Sequence, residues 1–249
     1  MAPQPTITPR FQPSPRLATL SEVAHMKLYA IGDIHGCYDA LEALLQSVDP
    51  QPDDTVVFLG DYVDRGPDSR RLLDWLCRSD HRFNTTFLRG NHEIMMMESR
   101  HNPLLFQDWL LCGGQATLES YGWNGQLKWP GLVPDIHWNF LESTHSFLET
   151  DDFILVHANA VPTLDMDQHD DFQLYWDKCH HLPMHKSGKR VVVGHTRQTS
   201  GVPRQWEGGV CIDTAAVSGQ WLTCLELVSG EYHQADQTRK TRKGSLGIW

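Results

Sequence analysis

Several apolar runs in this sequence are followed directly by residues whose side chains could bind a metal ion. These residues are Asp33 and His35, Asp61 and Asp64, Asn91 and His92, His157, and His195. Any one of them alone would more often be a helix cap, a turn former or a satisfied buried residue. Burying several carboxylates and imidazoles together is costly, however, and a pair of metal ions would supply the missing partner. Because the donors are oxygen and nitrogen, the set suits manganese, iron or zinc and predicts a site for divalent ions.

The chemistry that such a site could perform is phosphate ester hydrolysis. Two ions about 3.5–4 Å apart can clamp a phosphoryl group and hold a bridging hydroxide at neutral pH, and a bridging carboxylate is the simplest way to hold them. The guanidinium fork of arginine matches phosphate oxygens, and Arg65 and Arg89 lie in the same loops. Either could instead form a salt bridge that faces a helix. For Arg65, between Asp64 and Gly66 in a tight loop, we favour the phosphate role.

Alternating strands and helices in the first half of the chain would position these side chains. Apolar β-type runs lie at 27–31, 55–59 and 84–88, and helical periodicity follows the first two. Repeated strand, loop and helix indicate a sheet with helices packed on its faces. Ligands bind such sheets at the loops beyond the carboxyl ends of the strands.

The second half contains short β-type runs separated by glycine-rich turns, with a hairpin-like turn at 150–152. We therefore predict an α/β fold in which the two halves form two facing sheets with helices outside, as one domain over 26–235. Residues 1–25 are rich in proline and are predicted to be a disordered extension, with either Met1 or Met26 as the start. Residues 236–249 are predicted to be a polar, basic, solvated tail.

Composition narrows the class of protein further. The 249 residues carry a formal net charge of −10, so binding to nucleic acid through a broad basic face is not expected. No apolar run approaches the roughly 20 residues of a membrane span, and no signal-peptide pattern is present. The six cysteines are scattered without a C-x-x-C pair, which predicts free thiols. These features predict a soluble cytoplasmic protein with no membrane partner, and they leave its oligomeric state open.

Five motifs in chain order, GDIHG, GDYVDRG, LRGNHE, VHA and GHT, resemble those of the calcineurin-like metallophosphoesterases. They are most similar to the phosphoprotein phosphatase branch and its bacterial relatives, which include symmetrical dinucleoside tetraphosphatases. The resemblance extends over 27–227, and five such motifs in order are highly specific. It implies a four-layer αββα sandwich with two facing mixed β-sheets. It also implies two divalent metal ions as cofactors, expected to be Mn²⁺, with iron or zinc as alternatives.

The resemblance implies six metal ligands. They are Asp33 and His35 for the first ion, Asn91, His157 and His195 for the second, and Asp61 as the carboxylate that bridges the two. A bridging carboxylate is also what the chemistry of a two-ion site requires.

Catalytic and substrate-binding roles are implied in the same way. His92 would be the general acid that protonates the leaving oxygen, and Asp64 would orient it. The residues that contact the substrate would be Arg65, which grips the phosphate, Arg89, Asn91 and Lys178. Lys178, in LYWDKCHH, lies where the family usually has a second arginine, and it offers a point charge without the bidentate geometry of arginine.

The sequence departs from the family pattern at two other places, of which the first is a small change. Ala158 replaces the glycine that usually begins the loop after the histidine of VHA. The ending CIDTAAVSGQWLTCLEL resembles that of bacterial relatives, and the SAPNYC element of eukaryotic members is absent. The ending therefore favours a bacterial-type enzyme.

The leading function is a phosphoprotein phosphatase that hydrolyses phosphoserine or phosphothreonine by direct attack of a metal-bridging hydroxide. The alternative is a symmetrical dinucleoside tetraphosphatase, which shares every metal motif; small phosphorylated substrates also fit. An insertion that holds adenine would favour the alternative, and the candidate segment is 99–131. Its aromatic residues, which could stack on a base or simply pack in the core, are Trp109, Tyr121, Trp123 and Trp129. A catalytically silent metal-binding scaffold is disfavoured because every metal position and His92 are retained.

Overall fold

The computed structural model of the chain describes residues 26–125, 129–247 and 249. The extension predicted at 1–25 therefore lies outside the described residues. Within them, two β-sheets face each other across an apolar core, and helices cover their outer faces. This confirms the predicted α/β sandwich.

Eleven strands of the described residues form the two sheets. The first sheet contains, in spatial order, β11 (Thr241–Ser245), β10 (Glu231–Ala235), β9 (Leu222–Glu226), β1 (Leu28–Ile31), β2 (Thr55–Phe58) and β3 (Asn84–Phe87). The second sheet contains β4 (Phe147–Glu149), β5 (Phe153–Val156), β6 (Arg190–Val193), β8 (Gly209–Cys211) and β7 (Arg204–Trp206). β1, β2 and β3 are parallel to one another, as are β5, β6 and β8. The carboxyl ends of parallel strands therefore meet at one edge of each sheet.

The alternation of side chains along β1 shows why the first sheet is buried on both faces. Successive side chains of a strand point to opposite faces. Tyr29 and Ile31 pack in the core beneath the helices, whereas Leu28 and Ala30 pack in the core between the two sheets. A strand that is apolar on both faces is confined to the middle of a sandwich, so its polar residues must follow it in the loop.

The helices pack on the outer faces of the sheets. They are α1 (Tyr38–Val48), α2 (Ser69–Leu76), α3 (Asn91–Ser99), α4 (Pro103–Trp109), α5 (Gln115–Ser120), α6 (Asp135–Ser143) and α7 (Asp171–Tyr175). A π-helical turn, Leu110–Gly114, joins α4 to α5. α1 buries Leu41 and Leu44 beneath the first sheet, and α7 buries Leu174 against the second. None of the helices in the described ranges has the length and apolar character needed to cross a membrane.

The second half of the chain contributes strands to both sheets, which corrects the prediction that each half forms one sheet. The hairpin predicted at 150–152 is confirmed, since it joins β4 to β5 in the second sheet. β9, however, pairs antiparallel with β1, and β10 and β11 extend the first sheet beyond it. Hydrophobic patterning predicts that these segments are strands, but it does not determine the sheet to which each one belongs.

The polar tail predicted at 236–249 is instead partly built into the fold. β11 pairs with β10 along its whole length, from Thr241 opposite Ala235 to Ser245 opposite Glu231. Most of its side chains are exposed because β11 is an edge strand. Charged side chains on an edge strand hinder its pairing with other sheets. The high charge of this segment therefore marks a sheet edge.

Candidate metal centre

The predicted metal ligands meet at the carboxyl ends of the parallel strands. Each follows a strand or begins the helix after one. Asp33 and His35 follow β1, Asp61 follows β2, Asn91 follows β3, His157 follows β5, and His195 follows β6. His35, Asp61 and His195 have positive φ angles of 46°, 52° and 56°, which are uncommon outside glycine. Backbone strain of this kind clusters at functional sites, where the surrounding structure holds it in place.

His35 and Asp33 lie on one side of the centre. Nδ1–H of His35 donates to the carbonyl oxygen of Val63 over 2.8 Å, and Nε2 lies 3.4 Å from Oδ2 of Asp61. Burial lowers the pKa of His35 to about 3, so the ring is neutral and Nε2 presents a lone pair. Asp33 is buried, and its two carboxylate oxygens accept the backbone N–H of His195 at 3.1 and 3.0 Å.

Asn91, His157 and His195 lie on the other side. Oδ1 of Asn91 is 3.1 Å from Nε2 of His157 and 3.0 Å from Nδ1 of His195. The remaining ring nitrogens face backbone carbonyl oxygens. Nδ1 of His157 lies 2.9 Å from the carbonyl oxygen of Leu59, and Nε2 of His195 lies 3.1 Å from that of Trp176. These contacts turn Nε2 of His157 and Nδ1 of His195 toward the same point beside Asn91. Backbone partners orient histidines that bind metals in the same way.

Asp61 lies between the two groups and is positioned to serve both. Its Oδ2 faces His35, and its Oδ1 lies 3.4 Å from Nε2 of His157. Donor atoms of Asp61, His157 and His195 all lie within 4.8 Å of one another. Burial raises the pKa of Asp61, but the neighbouring imidazoles, His157 foremost, outweigh burial and lower it below its ordinary value. Asp61 is therefore a carboxylate held ionised between two sets of donors.

The charge of the centre fits divalent cations. Asp33, Asp61 and Asp213 are buried together. Burial first, and then repulsion from Asp213 and Asp61, raises the pKa of Asp33 well above its ordinary value. Burial likewise raises the pKa of Asp213 to about 6. Buried carboxylates that repel one another are stabilised by a cation, and carboxylate, amide and imidazole donors suit a divalent metal.

His92 is paired with Asp64 beside the centre. Its Nδ1 lies 2.6 Å from Oδ2 of Asp64, and the two side chains are almost completely buried. Burial disfavours the imidazolium, but the carboxylates of Asp61 and Asp64 outweigh it and raise the pKa of His92. His92 also lies within ligand range of His35 and Asp61. The carboxylate of Asp64 favours a protonated ring at His92, whereas burial keeps the ring of His35 neutral.

Asp64 is itself fixed by residues of the 99–131 insertion. Nε1–H of Trp109 donates to Oδ2 over 2.8 Å, and Oγ1–H of Thr117 donates to Oδ1 over 2.8 Å. The backbone N–H of Asp64 donates back to Oγ1 of Thr117 over 2.8 Å. The carbonyl oxygen of Gly113 accepts the backbone N–H of Arg65 over 3.0 Å. The insertion therefore holds the Asp64–Arg65 loop in place.

The aromatic residues of the insertion pack in the core, and this favours the packing interpretation over base stacking. Trp109, Tyr121 and Trp129 are buried, and Phe106 stacks on Trp129 with ring centroids 5.4 Å apart. Trp123 packs against the same cluster. The three buried rings are not open to a nucleobase, whereas Trp123 is half-buried at the edge of the cluster.

The two predicted arginines have different surroundings. Arg65 is exposed at the centre, and its Nη1 lies 2.7 Å from Nε2 of His35. The guanidinium of Arg89 instead donates to the carbonyl oxygens of Leu141, Glu142 and Thr144 and to Oγ1 of Thr144, at 2.9–3.2 Å. These acceptors lie at the C-terminal end of α6, where a cation is favourable. These bonds make Arg89 a cap of α6, and its role in phosphate binding stays a prediction.

Two acidic residues of the site were not predicted from sequence. The buried carboxylate of Glu93 accepts the backbone N–H groups of Asp61, Tyr62 and Gly90 at 2.7–2.8 Å, and burial raises its pKa to about 7. Its position three residues after Gly90 is the capping-box spacing, which was available in the sequence. Asp213 follows β8 as Asp61 follows β2. The rule that identified the other strand-end residues would have identified Asp213 as well.

The fold, with two donor groups that share one carboxylate beside an Asp–His pair, defines a metal-dependent phosphoesterase. The model of the calcineurin-like phosphoesterase family matches residues 26–218, so the chain belongs to that family and the predicted resemblance is confirmed. Membership implies divalent metal ions, and the groups described above offer the donors for them.

Curated relatives resemble parts of this chain. A symmetrical bis(5'-nucleosyl)-tetraphosphatase of Chromobacterium violaceum is 38% identical over 129 residues, which are 44% of this chain and 45% of that protein. Another, of Delftia acidovorans, is 30% identical over 146 residues, 55% of this chain and 46% of that protein. The chain therefore spans less than half the length of these relatives.

Solved structures share the fold. A protein provisionally assigned as a diadenosine tetraphosphatase aligns with a TM-score of 0.60 at 19% identity, covering 93% of this chain and 98% of its own. A cold-active protein-tyrosine phosphatase of a Shewanella species aligns with a TM-score of 0.62 at 16% identity, covering 94% of this chain and 82% of its own. At such identities the likeness concerns the fold alone.

Proposed function

We propose that this phosphoesterase hydrolyses dinucleoside tetraphosphates symmetrically and releases two nucleoside diphosphates. The observation that carries the reaction type is the position of Asp61, whose two carboxylate oxygens face His35 and His157 beside the His92–Asp64 pair. The substrate class is supported by the relatives in Chromobacterium violaceum and Delftia acidovorans, which are symmetrical tetraphosphatases. This substrate replaces the phosphoprotein that was favoured from sequence.

We further propose that the chain holds two divalent ions, Mn²⁺ in the first instance. One ion would be held by Asp33, His35 and Asp61, and the other by Asp61, Asn91, His157 and His195. When bound, a pair of divalent ions lowers the pKa of water and neutralises charge on a phosphoryl group. The oxygen and imidazole donors favour Mn²⁺, with iron and zinc also compatible.

Four residues of the chain then have distinct tasks. Arg65, exposed beside His35, binds non-bridging phosphate oxygens, and Lys178 adds a second positive charge at the wall of the adjoining cavity. Asp64 holds the ring of His92 by Nδ1, so Nε2–H is the proton available to the leaving oxygen. The Asp64–His92 pair therefore acts as a positioned acid.

Cleavage of the proposed substrate needs little protonation of the leaving oxygen by His92. Attack of water at one of the two central phosphorus atoms breaks its bond to the oxygen that bridges them. That oxygen leaves on a nucleoside diphosphate, which is a far weaker base than the alkoxide that leaves from phosphoserine. Protonation by His92 therefore contributes less to tetraphosphate hydrolysis than to the hydrolysis of alkyl phosphates.

The experiment is a substrate panel on metal-stripped protein that is re-supplied with manganese, iron, zinc or magnesium. Diadenosine tetraphosphate should be converted to ADP, and phosphoserine and phosphothreonine peptides should turn over more slowly. Formation of ATP and AMP would contradict symmetrical cleavage. Faster turnover of the phosphopeptides, with no cleavage of the tetraphosphate, would overturn the substrate assignment and favour the phosphoprotein alternative.

A further inference from the structure

One cavity extends outward from the candidate metal centre. Its volume is about 490 Å³. Its inner end, here called the metal end, is lined by Asp61, Asn91, His195 and Asp213. Its outer wall carries four basic side chains, here called the cationic rim: Lys178, His180, Arg197 and Arg204. A second groove of about 520 Å³ continues from Arg197 and Arg204 over the segment 197–205. Substrate that reaches the metals therefore passes along a basic wall.

This wall is basic, although the protein as a whole is acidic. The chain carries a formal net charge of −10. Among the described residues that line the cavity, however, the only carboxylates are Asp61 and Asp213, and both lie at the metal end. Arg197, Arg204 and Lys178 are exposed to solvent. A local excess of positive charge on an acidic protein concentrates and orients anionic ligands.

The loop that begins near Arg197 and leads to Arg204, the first residue of β7, is anchored to the fold. The backbone N–H of Gln198 donates to the carbonyl oxygen of Asp213 over 2.8 Å, which ties the loop to the metal end. The carbonyl oxygen of Gly201 accepts Nε2–H of Gln234 at 2.9 Å and Nη2–H of Arg242 at 2.6 Å. Gly201 has a φ of 74°, and a Cβ there would lie 2.6 Å from Oε1 of Gln220. An anchored loop loses little conformational entropy when a ligand binds.

The side chains of the rim are also oriented. Nη1–H of Arg197 donates to Oγ of Ser218 over 3.1 Å, and the guanidinium of Arg204 lies over the ring of Trp206, 4.9 Å from its centroid. Each contact leaves other guanidinium N–H groups to bind an anion, since arginine has five donors. The rim therefore presents bidentate phosphate donors outside the metal end.

We propose that Arg197 and Arg204 form a subsite for the phosphates that are not attacked, and that they select polyphosphates over single phosphate esters. This inference rests on the proposed function. A monoester carries a single phosphate, which the metal ions and Arg65 suffice to bind. A tetraphosphate has three further phosphates, and the rim supplies the additional positive charge along the path that they would follow.

The test compares two inorganic inhibitors of p-nitrophenyl phosphate turnover, orthophosphate and tripolyphosphate. Tripolyphosphate should inhibit the native protein more strongly than orthophosphate. In the double variant Arg197→Ala/Arg204→Ala this preference should fall by on the order of 10–100-fold, because charge-assisted hydrogen bonds are lost. The Arg197→Lys/Arg204→Lys variant should recover part of the preference, since it keeps the charge and loses the fork.

A matched control is Arg78→Ala/Lys243→Ala, which removes two positive charges from exposed positions outside the cavity and should leave the preference intact. An equal loss in this control would overturn the subsite, because bulk charge would then explain the effect. An unchanged preference in Arg197→Ala/Arg204→Ala would overturn it directly. Since both inhibitors are inorganic, the outcome does not depend on cleavage of diadenosine tetraphosphate, and failure of the proposed function is detected separately.

Discussion

The metal end and the cationic rim belong to one cavity but are built in opposite ways. The metal end is buried and anionic, and each of its side chains lies directly after a strand or at the start of a helix. The rim is exposed and basic, and its members lie in the loop at 178–180, in the loop after β6 and at the first residue of β7. A centre built on strand ends therefore appears in the sequence as short motifs. A surface made of loops becomes visible only when the sheets bring those loops together.

Removal of metal should abolish the activity that depends on the metal end. A chelator is expected to abolish turnover of every substrate, and Mn²⁺ should restore it, because the buried carboxylates supply no other means of activating water. Elemental analysis before and after chelation provides the measurement. Full activity in protein shown to be metal-free would refute the assignment of this end of the cavity.

Asp61→Asn should be the most damaging single change at the metal end. Asp61 faces both donor groups, so its neutralisation is expected to lower metal content at two sites, whereas His195→Ala lowers it at one. The measurement is metal content per chain, together with turnover, for the two variants. Native occupancy in Asp61→Asn would contradict the shared position of this carboxylate.

His92→Ala should separate acid catalysis from metal binding. The variant is expected to keep both ions and to lose on the order of 10²–10⁴ in rate on an alkyl phosphate. The loss should shrink on p-nitrophenyl phosphate and on diadenosine tetraphosphate, whose leaving groups need little protonation. His101→Ala, at an exposed histidine, is the control. Equal losses on all three substrates would mean that His92 does not act as the acid.

Thr117→Val tests whether the insertion positions that acid. Valine removes both hydrogen bonds between Oγ1 and Asp64 at nearly constant volume. We expect a rate loss on alkyl phosphates of about tenfold, with little change on p-nitrophenyl phosphate. Thr117→Ser should restore the rate. A further loss when Thr117→Val is added to His92→Ala would show that the two residues act independently.

Lys178→Ala should have the smallest effect. Lys178 is an exposed point charge on the rim, and single exposed charges contribute roughly 0.2–1 kcal/mol. KM for diadenosine tetraphosphate should rise by a few-fold, and kcat should change little. The rise should diminish at high salt, where exposed charges are screened. A large fall in kcat would place Lys178 closer to the reacting phosphate than the rim.

The sequence predicted that Asp33, Asp61, His157 and His195 lie close together because each follows an apolar strand. It did not predict the partition of strands between sheets, since β9 could pair with either sheet on pattern alone. The bond from Arg89 to Thr144 could not be predicted from sequence, because the two residues lie 55 positions apart. The sequence shows that the insertion is rich in aromatic residues, but it does not show whether their rings face the core or the solvent. The structure shows that Trp109 is buried.

The bond from Arg242 to Gly201 has an evolutionary consequence. The segment that matches the family ends at residue 218, whereas Arg242 lies on the outermost strand, after that limit. The anchor of this loop is therefore encoded after the segment that the family model matches. Substitutions in the last strand can shift this loop while all six proposed metal ligands stay unchanged. Selectivity and chemistry can therefore evolve at different rates within one chain.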